Sequence, residues 1–203
     1  MIDPLVLQQF QEIGRDMFVH NLISSHGGNI SMRLGDQILI SRRGSMLGRL
    51  REQDIIETNL NKKDSGVMLA STELIVHRAI YLATPGLAIA HAHTRRAVAL
   101  SLSRDDIVPV DNEGSYLLKK VPVVEVEFAS GTPQMANAVA EALKSYKVIM
   151  LRGHGSFAIG QTLEEAFQWT DALEEACEII MHTQAMGEKM IEYRKKSDSY
   201  TDW

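Results

Sequence analysis

The sequence predicts an α/β protein with a mixed, largely antiparallel central sheet between layers of helices. Two observations lead to this prediction. Segments with the alternation of strands and segments with the apolar spacing of helices follow one another along the chain. The first two predicted strands, residues 27–34 and 37–41, are separated only by a Gly-Asp turn, which is typical of an antiparallel hairpin. We therefore do not expect a purely parallel sheet.

Five segments have helical spacing of their apolar residues. Ser71 or Thr72 opens the second segment, a Thr-Pro pair starts the fourth, and Thr162 with Glu165 forms a capping box at the last. The predicted helices are residues 3–22, 71–83, 95–102, 132–146 and the stretch that begins at Thr162.

Further apolar runs between these helices predict the rest of the sheet. These strands are residues 54–59, 87–93, 121–128 and a pair around the Gly-His-Gly turn within 147–160. We expect one domain over residues 1–203, in which the polar segment 194–203 forms a mobile tail.

The composition excludes several classes of function. The net charge of −5 argues against binding to nucleic acid, and the one cysteine excludes an internal disulfide or a cysteine-based zinc cluster. No apolar run is long enough to span a bilayer, and the N-terminus does not have the pattern of a signal peptide. We therefore expect a cytoplasmic protein with neither a nucleic-acid nor a membrane partner.

Three histidines lie at the ends of predicted strands. His91 and His93 are two residues apart on one strand, so their side chains project from the same face. His154 lies between two glycines after another strand. Each histidine alone could be structural, but three imidazoles with one open position suit a catalytic zinc ion.

Several turns could bind an anion. Hydroxyl groups and free N–H groups at a helix start, as at Ser71 and Thr72, attract anions but also serve as ordinary caps. The segments 26–29 and 41–45 combine glycines with polar or basic residues, and a plain turn or a solvated loop is the alternative for each.

Taken in order, the segments GGNIS, ISRRGSMLGRL, ASTEL, HAHT and RGHGSFAIG resemble the class II aldolase/adducin family. The resemblance covers roughly residues 5–185, and the nearest likeness is to sugar-phosphate aldolases of the L-fuculose-1-phosphate type. It implies reversible cleavage of a ketose 1-phosphate to dihydroxyacetone phosphate and an aldehyde. The implied assembly is a homotetramer with active sites at subunit interfaces.

The resemblance also implies a role for individual residues. His91, His93 and His154 match the ligands of one divalent ion, usually Zn²⁺, with Mn²⁺, Co²⁺ or Fe²⁺ as alternatives. Glu73 matches the catalytic acid/base. The positions that bind the substrate phosphate in the family correspond to Gly28, Asn29, Gly44, Ser71 and Thr72.

Two positions depart from the family pattern. The turn that usually reads Thr-Pro-Ser/Thr-Gly is here SRRG, so Arg43 is a candidate for a charged phosphate contact. Glu113 stands where the fuculose-phosphate aldolases have a tyrosine, and Tyr116 lies three residues further on. We take Glu113 as a second candidate catalytic residue, one that could protonate the aldehyde oxygen, with Tyr116 or a residue from a neighbouring subunit as the alternatives.

Three other functions occur within the family. Methylthioribulose-1-phosphate dehydratases also use three histidines and a glutamate. Pentulose-phosphate 4-epimerases usually have an aspartate at the position of Glu73, and adducin-like scaffolds lack the metal histidines, so both are disfavoured here.

Overall fold

The computed structural model describes residues 2–62 and 64–187. It confirms an α/β fold with one mixed sheet between helix layers. The segment 194–203, for which the sequence predicts mobility, lies outside the described residues. No helix within the described ranges is both long and apolar enough to cross a membrane.

The sheet has eight strands in the order β3-β2-β1-β4-β8-β7-β6-β5. Every neighbouring pair is antiparallel except β6 and β7, which are parallel. The strands are β1 (Asn29–Leu34), β2 (Gln37–Ser41), β3 (Ile55–Asn59), β4 (Ala88–Ala92), β5 (Asp106–Ile107), β6 (Val121–Val124), β7 (Val148–Leu151) and β8 (Gly155–Gly160).

Six α-helices cover the two faces of the sheet in the described part of the chain. They are α1 (Pro4–Val19), α2 (Leu74–Ala83), α3 (Arg95–Ser101), α4 (Asn112–Leu118), α5 (Pro133–Ala142) and α6 (Leu163–Met186). Helices α2 and α5 pack on one face, whereas α1, α3, α4 and α6 pack on the other.

The alternation of side chains along β4 determines which of its residues lie on each face of the sheet. Ala88, Ala90 and Ala92 point towards α1 and α6, where their small side chains allow close packing. Ile89 packs in the α2 and α5 layer, and His91 projects from the same face as Ile89. The strand therefore directs His91 to the α2 side of the sheet, where the His93 ring lies 3.1 Å away, so the two histidines project together as the sequence predicts.

Several predicted boundaries are wrong, for physical reasons. Helix α2 begins at Leu74 rather than at Ser71 or Thr72, because the preceding residues form a turn in which the Glu73 N–H bonds the Ser71 hydroxyl. Strand β6 ends at Val124 although the alternation continues to residue 128. Its neighbour β7 ends opposite Val124, so no strand remains to pair with the later residues.

The structure contains one α-helix, α4, and one strand, β5, in the described residues that were not predicted from the sequence. Helix α4 has only seven residues, but its N-cap is regular, since the Asp111 carboxylate accepts the Gly114 N–H at 2.7 Å. Asp111 could have indicated the helix start, because aspartate is favoured at an N-cap. The segment was not predicted as a helix because it is short and contains a glycine, which is unfavourable inside a helix.

Candidate metal and phosphate site

His91 is buried near the end of β4, with its ring fixed from two sides. It stacks on Phe157 of β8, with ring centroids 4.1 Å apart. Its Nδ1 donates to the carbonyl of Ser156 at 2.9 Å. Because a carbonyl can only accept, the ring proton stays on Nδ1 and Nε2 keeps a free lone pair.

The lone pair of His91 Nε2 faces a second imidazole nitrogen and a carboxylate oxygen. Nε2 of His93 lies 3.1 Å from it, and a carboxylate oxygen of Glu73 lies 3.1 Å from it as well. The carboxylate oxygen can only accept, so it and the His91 lone pair attract one another only through a proton or a cation between them. The arrangement therefore fits a divalent ion coordinated by imidazole nitrogen.

His154 completes the set from the turn between β7 and β8. One ring nitrogen from each of the three histidines lies within 4.8 Å of the other two. The turn can approach this closely because residue 155 is glycine. A Cβ there would lie 2.3 Å from the Ala92 carbonyl oxygen and 3.1 Å from the His91 ring.

The surroundings keep the three rings uncharged. Burial lowers the pKa of His91 well below its ordinary value, and the neighbouring histidines lower it further. Burial also lowers the pKa of His93 and of His154, although the Glu73 carboxylate opposes this at both. Neutral imidazole is the form that binds a metal, so the histidines need not lose a proton first.

Glu73 stands between the histidines and the turns. It occupies the N-cap of α2, but its side chain makes no capping bond. One carboxylate oxygen accepts from the Asn29 side-chain amide at 2.7 Å, and the other lies 3.6 Å from Nε2 of His154. The carboxylate is thus held beside the three histidines and is almost fully buried.

All six predicted phosphate-binding residues line one cleft of about 230 Å³, together with Glu73, His93 and His154. Gly28 has a φ of +75°, and a Cβ there would lie 2.6 Å from the His91 carbonyl oxygen, so this turn needs glycine. The Ser71 oxygen accepts the Glu73 N–H, which leaves the hydroxyl proton free for a ligand. The six residues are Gly28, Asn29, Arg43, Gly44, Ser71 and Thr72.

The two arginines of the SRRG turn have different surroundings. Arg42 is bound to the buried Asp54 carboxylate, with N–O distances of 2.8 and 3.1 Å, so its charge is already compensated. The exposed Arg43 side chain makes no hydrogen bond or ion pair with the described residues, and only its backbone N–H is bound, to Leu69. Arg43 is therefore the uncompensated cation at this edge of the cleft.

Some residues of the cleft were not predicted from the sequence. His26, Ser45 and Ser130 also line it. His26 and Ser45 each belong to a segment that the sequence marks as a candidate anion-binding turn, so that signal was present. Ser130 comes from the loop after β6, and no local pattern connected that loop with the histidines.

Glu113 does not line this cleft. It lies at the start of α4, which packs against α6 on the far side of the sheet from α2. There it borders a groove with other acidic residues, including Asp171 and Glu175. Within one chain, the structure does not bring Glu113 together with Glu73 and the histidines.

The chain is similar in sequence and in fold to proteins of known activity. The family model described as Class II Aldolase and Adducin N-terminal domain matches residues 8–181. The L-fuculose phosphate aldolase of Methanocaldococcus jannaschii is 30% identical over 177 residues, which cover 86% of this chain and 94% of that protein. The 3-oxo-tetronate 4-phosphate decarboxylase of Haemophilus influenzae is 27% identical over 94% of this chain and 92% of that protein.

A solved structure gives the same picture. L-fuculose-1-phosphate aldolase from Thermus thermophilus superposes with a TM-score of 0.85 at 37% sequence identity. The superposition covers 92% of this chain and 98% of that chain.

Proposed function

Since the chain belongs to the class II aldolase and adducin family, we propose that it catalyses reversible aldol cleavage of a ketose 1-phosphate to dihydroxyacetone phosphate and an aldehyde. The observation that supports this most is the position of Glu73. Its carboxylate lies 3.1 Å from Nε2 of His91, one of the three proposed metal ligands. It also lines the cleft that contains the turns predicted to bind an anion.

Cleavage of the carbon–carbon bond leaves an electron pair on the ketone fragment, which must be stabilised. A divalent ion bound by His91, His93 and His154, Zn²⁺ in our proposal, supplies Lewis-acid chemistry that stabilises negative charge on the substrate's oxygens. Phe157 and the Ser156 carbonyl keep the His91 ring in the orientation that such a site requires.

Glu73 transfers the proton. In the cleavage direction the carbon that loses its partner must gain a proton, and in the condensation direction it must lose one. The Asn29 amide bonds one carboxylate oxygen of Glu73, so the carboxylate has a fixed direction before substrate arrives.

The turns of the cleft bind the phosphate group at a distance from the bond that breaks. Backbone N–H groups at Gly28 and Gly44, the hydroxyls of Ser71 and Thr72, and the Arg43 guanidinium supply the donors. Fixing the phosphate aligns the rest of the substrate with Glu73, which converts binding energy into rate.

The proposal extends to the assembly and its surroundings. We propose a cytoplasmic homotetramer whose active sites lie at subunit interfaces. Glu113 faces away from the cleft of its own chain, so its proposed role in protonating the aldehyde oxygen requires delivery across such an interface.

Two alternatives have specific support. The similarity to a 3-oxo-tetronate 4-phosphate decarboxylase favours loss of carbon dioxide from a phosphorylated 3-oxo acid. The set of three histidines and a glutamate is equally that of the methylthioribulose-1-phosphate dehydratases. The 4-epimerase and the adducin-like scaffold remain less favoured because Glu73 and all three histidines are present.

The test is to identify the products. Protein loaded with Zn²⁺ is incubated with a panel of ketose 1-phosphates, methylthioribulose 1-phosphate and a phosphorylated 3-oxo acid, and the products are analysed by mass spectrometry and NMR. Dihydroxyacetone phosphate together with an aldehyde is the expected outcome. A diketone phosphate with water, or carbon dioxide, would replace the aldolase proposal with the corresponding alternative.

A further inference from the structure

A row of polar contacts joins strand β1 to helix α2 behind the cleft. Asn29 bonds Glu73 at the cleft end. Two residues along the strand, the Ser31 hydroxyl lies 2.6 Å from His77 Nδ1 and 2.7 Å from the Tyr81 hydroxyl. We call the contacts of Asn29 and Ser31 with Glu73, His77 and Tyr81 the β1–α2 ladder.

The spacing of the ladder matches the geometry of both elements. The strand residues are two apart and rise about 6.6 Å, whereas the helix residues are four apart and rise about 6 Å. Strand and helix therefore run side by side in register. A fourth contact continues the row, since the Arg33 guanidinium donates to the Tyr81 carbonyl at 2.9 Å.

The middle of the ladder is closed to solvent. Ser31 and His77 are 0% exposed and Tyr81 is 1% exposed, and the apolar residues of the α2 and α5 layer surround them. A buried polar group that loses its hydrogen-bond partner destabilises the fold. Sliding α2 along β1 would leave these groups without hydrogen bonds and is therefore unfavourable. The ladder thus favours one register of the helix against the strand.

The His77 ring is uncharged in this position. Burial, and to a smaller extent the nearby His91, lower its pKa to about 3. Its Nε2 has no hydrogen-bond partner within the described part of the protein. The observed hydrogen bond of the ring is the one between Nδ1 and Ser31. Burial raises the pKa of Tyr81 as well, so its hydroxyl stays protonated. The contacts of Ser31 with His77 and Tyr81 are therefore hydrogen bonds between neutral groups.

We propose that Ser31, His77 and Tyr81 are positioning residues that set where α2 holds the Glu73 carboxylate relative to His91 and His154. Glu73 and His77 are one helical turn apart, and the His77 backbone N–H bonds the Glu73 carbonyl at 3.1 Å. Fixing His77 against β1 therefore fixes the N-terminus of α2. The proposal rests on the proposed function in one respect, namely that the Glu73 carboxylate moves the proton.

The expected effects are large because proton transfer is sensitive to distance. A misplacement of about 1 Å can lower the rate about 100-fold. Ser31→Ala removes the shared partner of both helix residues and leaves Asn29 in place. We expect kcat to fall at least about tenfold, with KM for the phosphorylated ketose and the bound Zn²⁺ changed less than about twofold, since the phosphate turns and histidines remain.

Two further variants separate positioning from stability. Val76→Ala lies on the same helix, is fully buried and makes no ladder contact, so it should lower Tm without lowering kcat. The triple variant Ser31→Ala, His77→Leu, Tyr81→Phe removes all partners together and should recover much of the Tm lost in Ser31→Ala. If its kcat recovers along with Tm, the ladder is merely structural and the proposal is overturned.

A spectroscopic readout keeps the inference apart from the proposed function. Co²⁺ replaces Zn²⁺, and the visible spectrum reports the carboxylate beside the ion. Ser31→Ala should shift the spectrum towards that of Glu73→Gln, whereas Val76→Ala should match the wild type. A shift in a protein without aldolase activity would support the ladder and reject the function. A Ser31→Ala spectrum equal to the wild type would overturn the ladder whatever the activity.

Discussion

The carboxylate of Glu73 does not cap the helix that it begins. An acidic residue at this position usually accepts backbone N–H groups of the first turn. Here the side chain turns away, accepts from Asn29 and approaches the histidines. The helix therefore has no side-chain cap at Glu73, and the site contains a buried carboxylate with a fixed direction.

Glu73→Gln tests this carboxylate directly. The change keeps the size of the side chain and removes the base, so proton exchange should slow about 10²–10⁴-fold. The measurement is deuterium incorporation from solvent into dihydroxyacetone phosphate without aldehyde, followed by NMR. Metal content should stay at the wild-type level because the histidines are unchanged.

Glu113→Gln provides the comparison for that experiment. A group that protonates the aldehyde oxygen in condensation must take that proton back from the hydroxyl in cleavage, so it acts only when the carbon–carbon bond forms or breaks. This variant should therefore exchange deuterium at the wild-type rate and slow complete cleavage. Normal exchange in Glu73→Gln, with slow exchange in Glu113→Gln, would reverse the two roles.

The histidines offer a second test at the scale of single residues. His93→Ala should weaken Zn²⁺ binding by more than about 100-fold, because even residues that only support a metal ligand contribute 10- to 100-fold. His26 lines the same cleft but lies outside the group of three, so His26→Ala is the matched control. Elemental analysis after dialysis should find metal in the control and none in His93→Ala. Equal retention would contradict the assigned ligand set.

Among the elements, the turn after β2 depends on the charge of Asp54, the residue just before β3. Burial alone would raise the pKa of Asp54, but hydrogen bonds from Arg42 and Arg51 outweigh this and lower it below the ordinary value. Such a carboxyl stabilises the fold above its unfolded pKa, and this stabilisation is lost as the pH falls through the folded pKa.

Asp54→Asn should therefore lower the free energy of unfolding at neutral pH, by about 1–3 kcal/mol for a lost hydrogen bond to a charged group. The difference from the wild type should shrink as the pH falls below about 4, where the wild-type carboxyl also becomes protonated. Urea unfolding across this pH range measures this difference in the free energy of unfolding. The control is Asp36→Asn, which changes an exposed residue of the hairpin. A difference that is independent of pH would show that the Asp54 charge does not stabilise the turn.

For the whole molecule, three exposed apolar side chains come from segments that also contribute residues to the cleft. Met68 and Leu69 precede the turn of Ser71, and Phe128 comes from the loop that also contributes Ser130. All three apolar side chains are more than half exposed. A neighbouring subunit could cover these side chains, as the proposed assembly requires.

Sedimentation equilibrium should accordingly give a mass of about 90 kDa, four times the 22.6 kDa of one chain. Met68→Glu and Phe128→Glu should weaken the assembly, because burying a charge in an apolar contact is costly. A fully active species of one-chain mass would refute the tetramer and the interfacial placement of the site.

The sequence by itself determined the features that depend on one element. Alternation along β4 placed His91 and His93 on the same face, the glycines around His154 indicated a close approach, and the spacing of the first strands predicted an antiparallel sheet. Periodicity encodes which way a side chain points from its own backbone, so a single chain segment suffices for such predictions.

Only the tertiary structure decided which residues meet across elements. In the folded chain, Glu73 lies beside the histidines and Ser31 contacts His77. The charge of Arg42 is compensated by Asp54 whereas that of Arg43 is not, and Glu113 lies on the far side of the sheet. No local pattern contains these outcomes. They depend on how far each helix slides and rotates against the sheet, and the burial of many distant side chains sets that position at once.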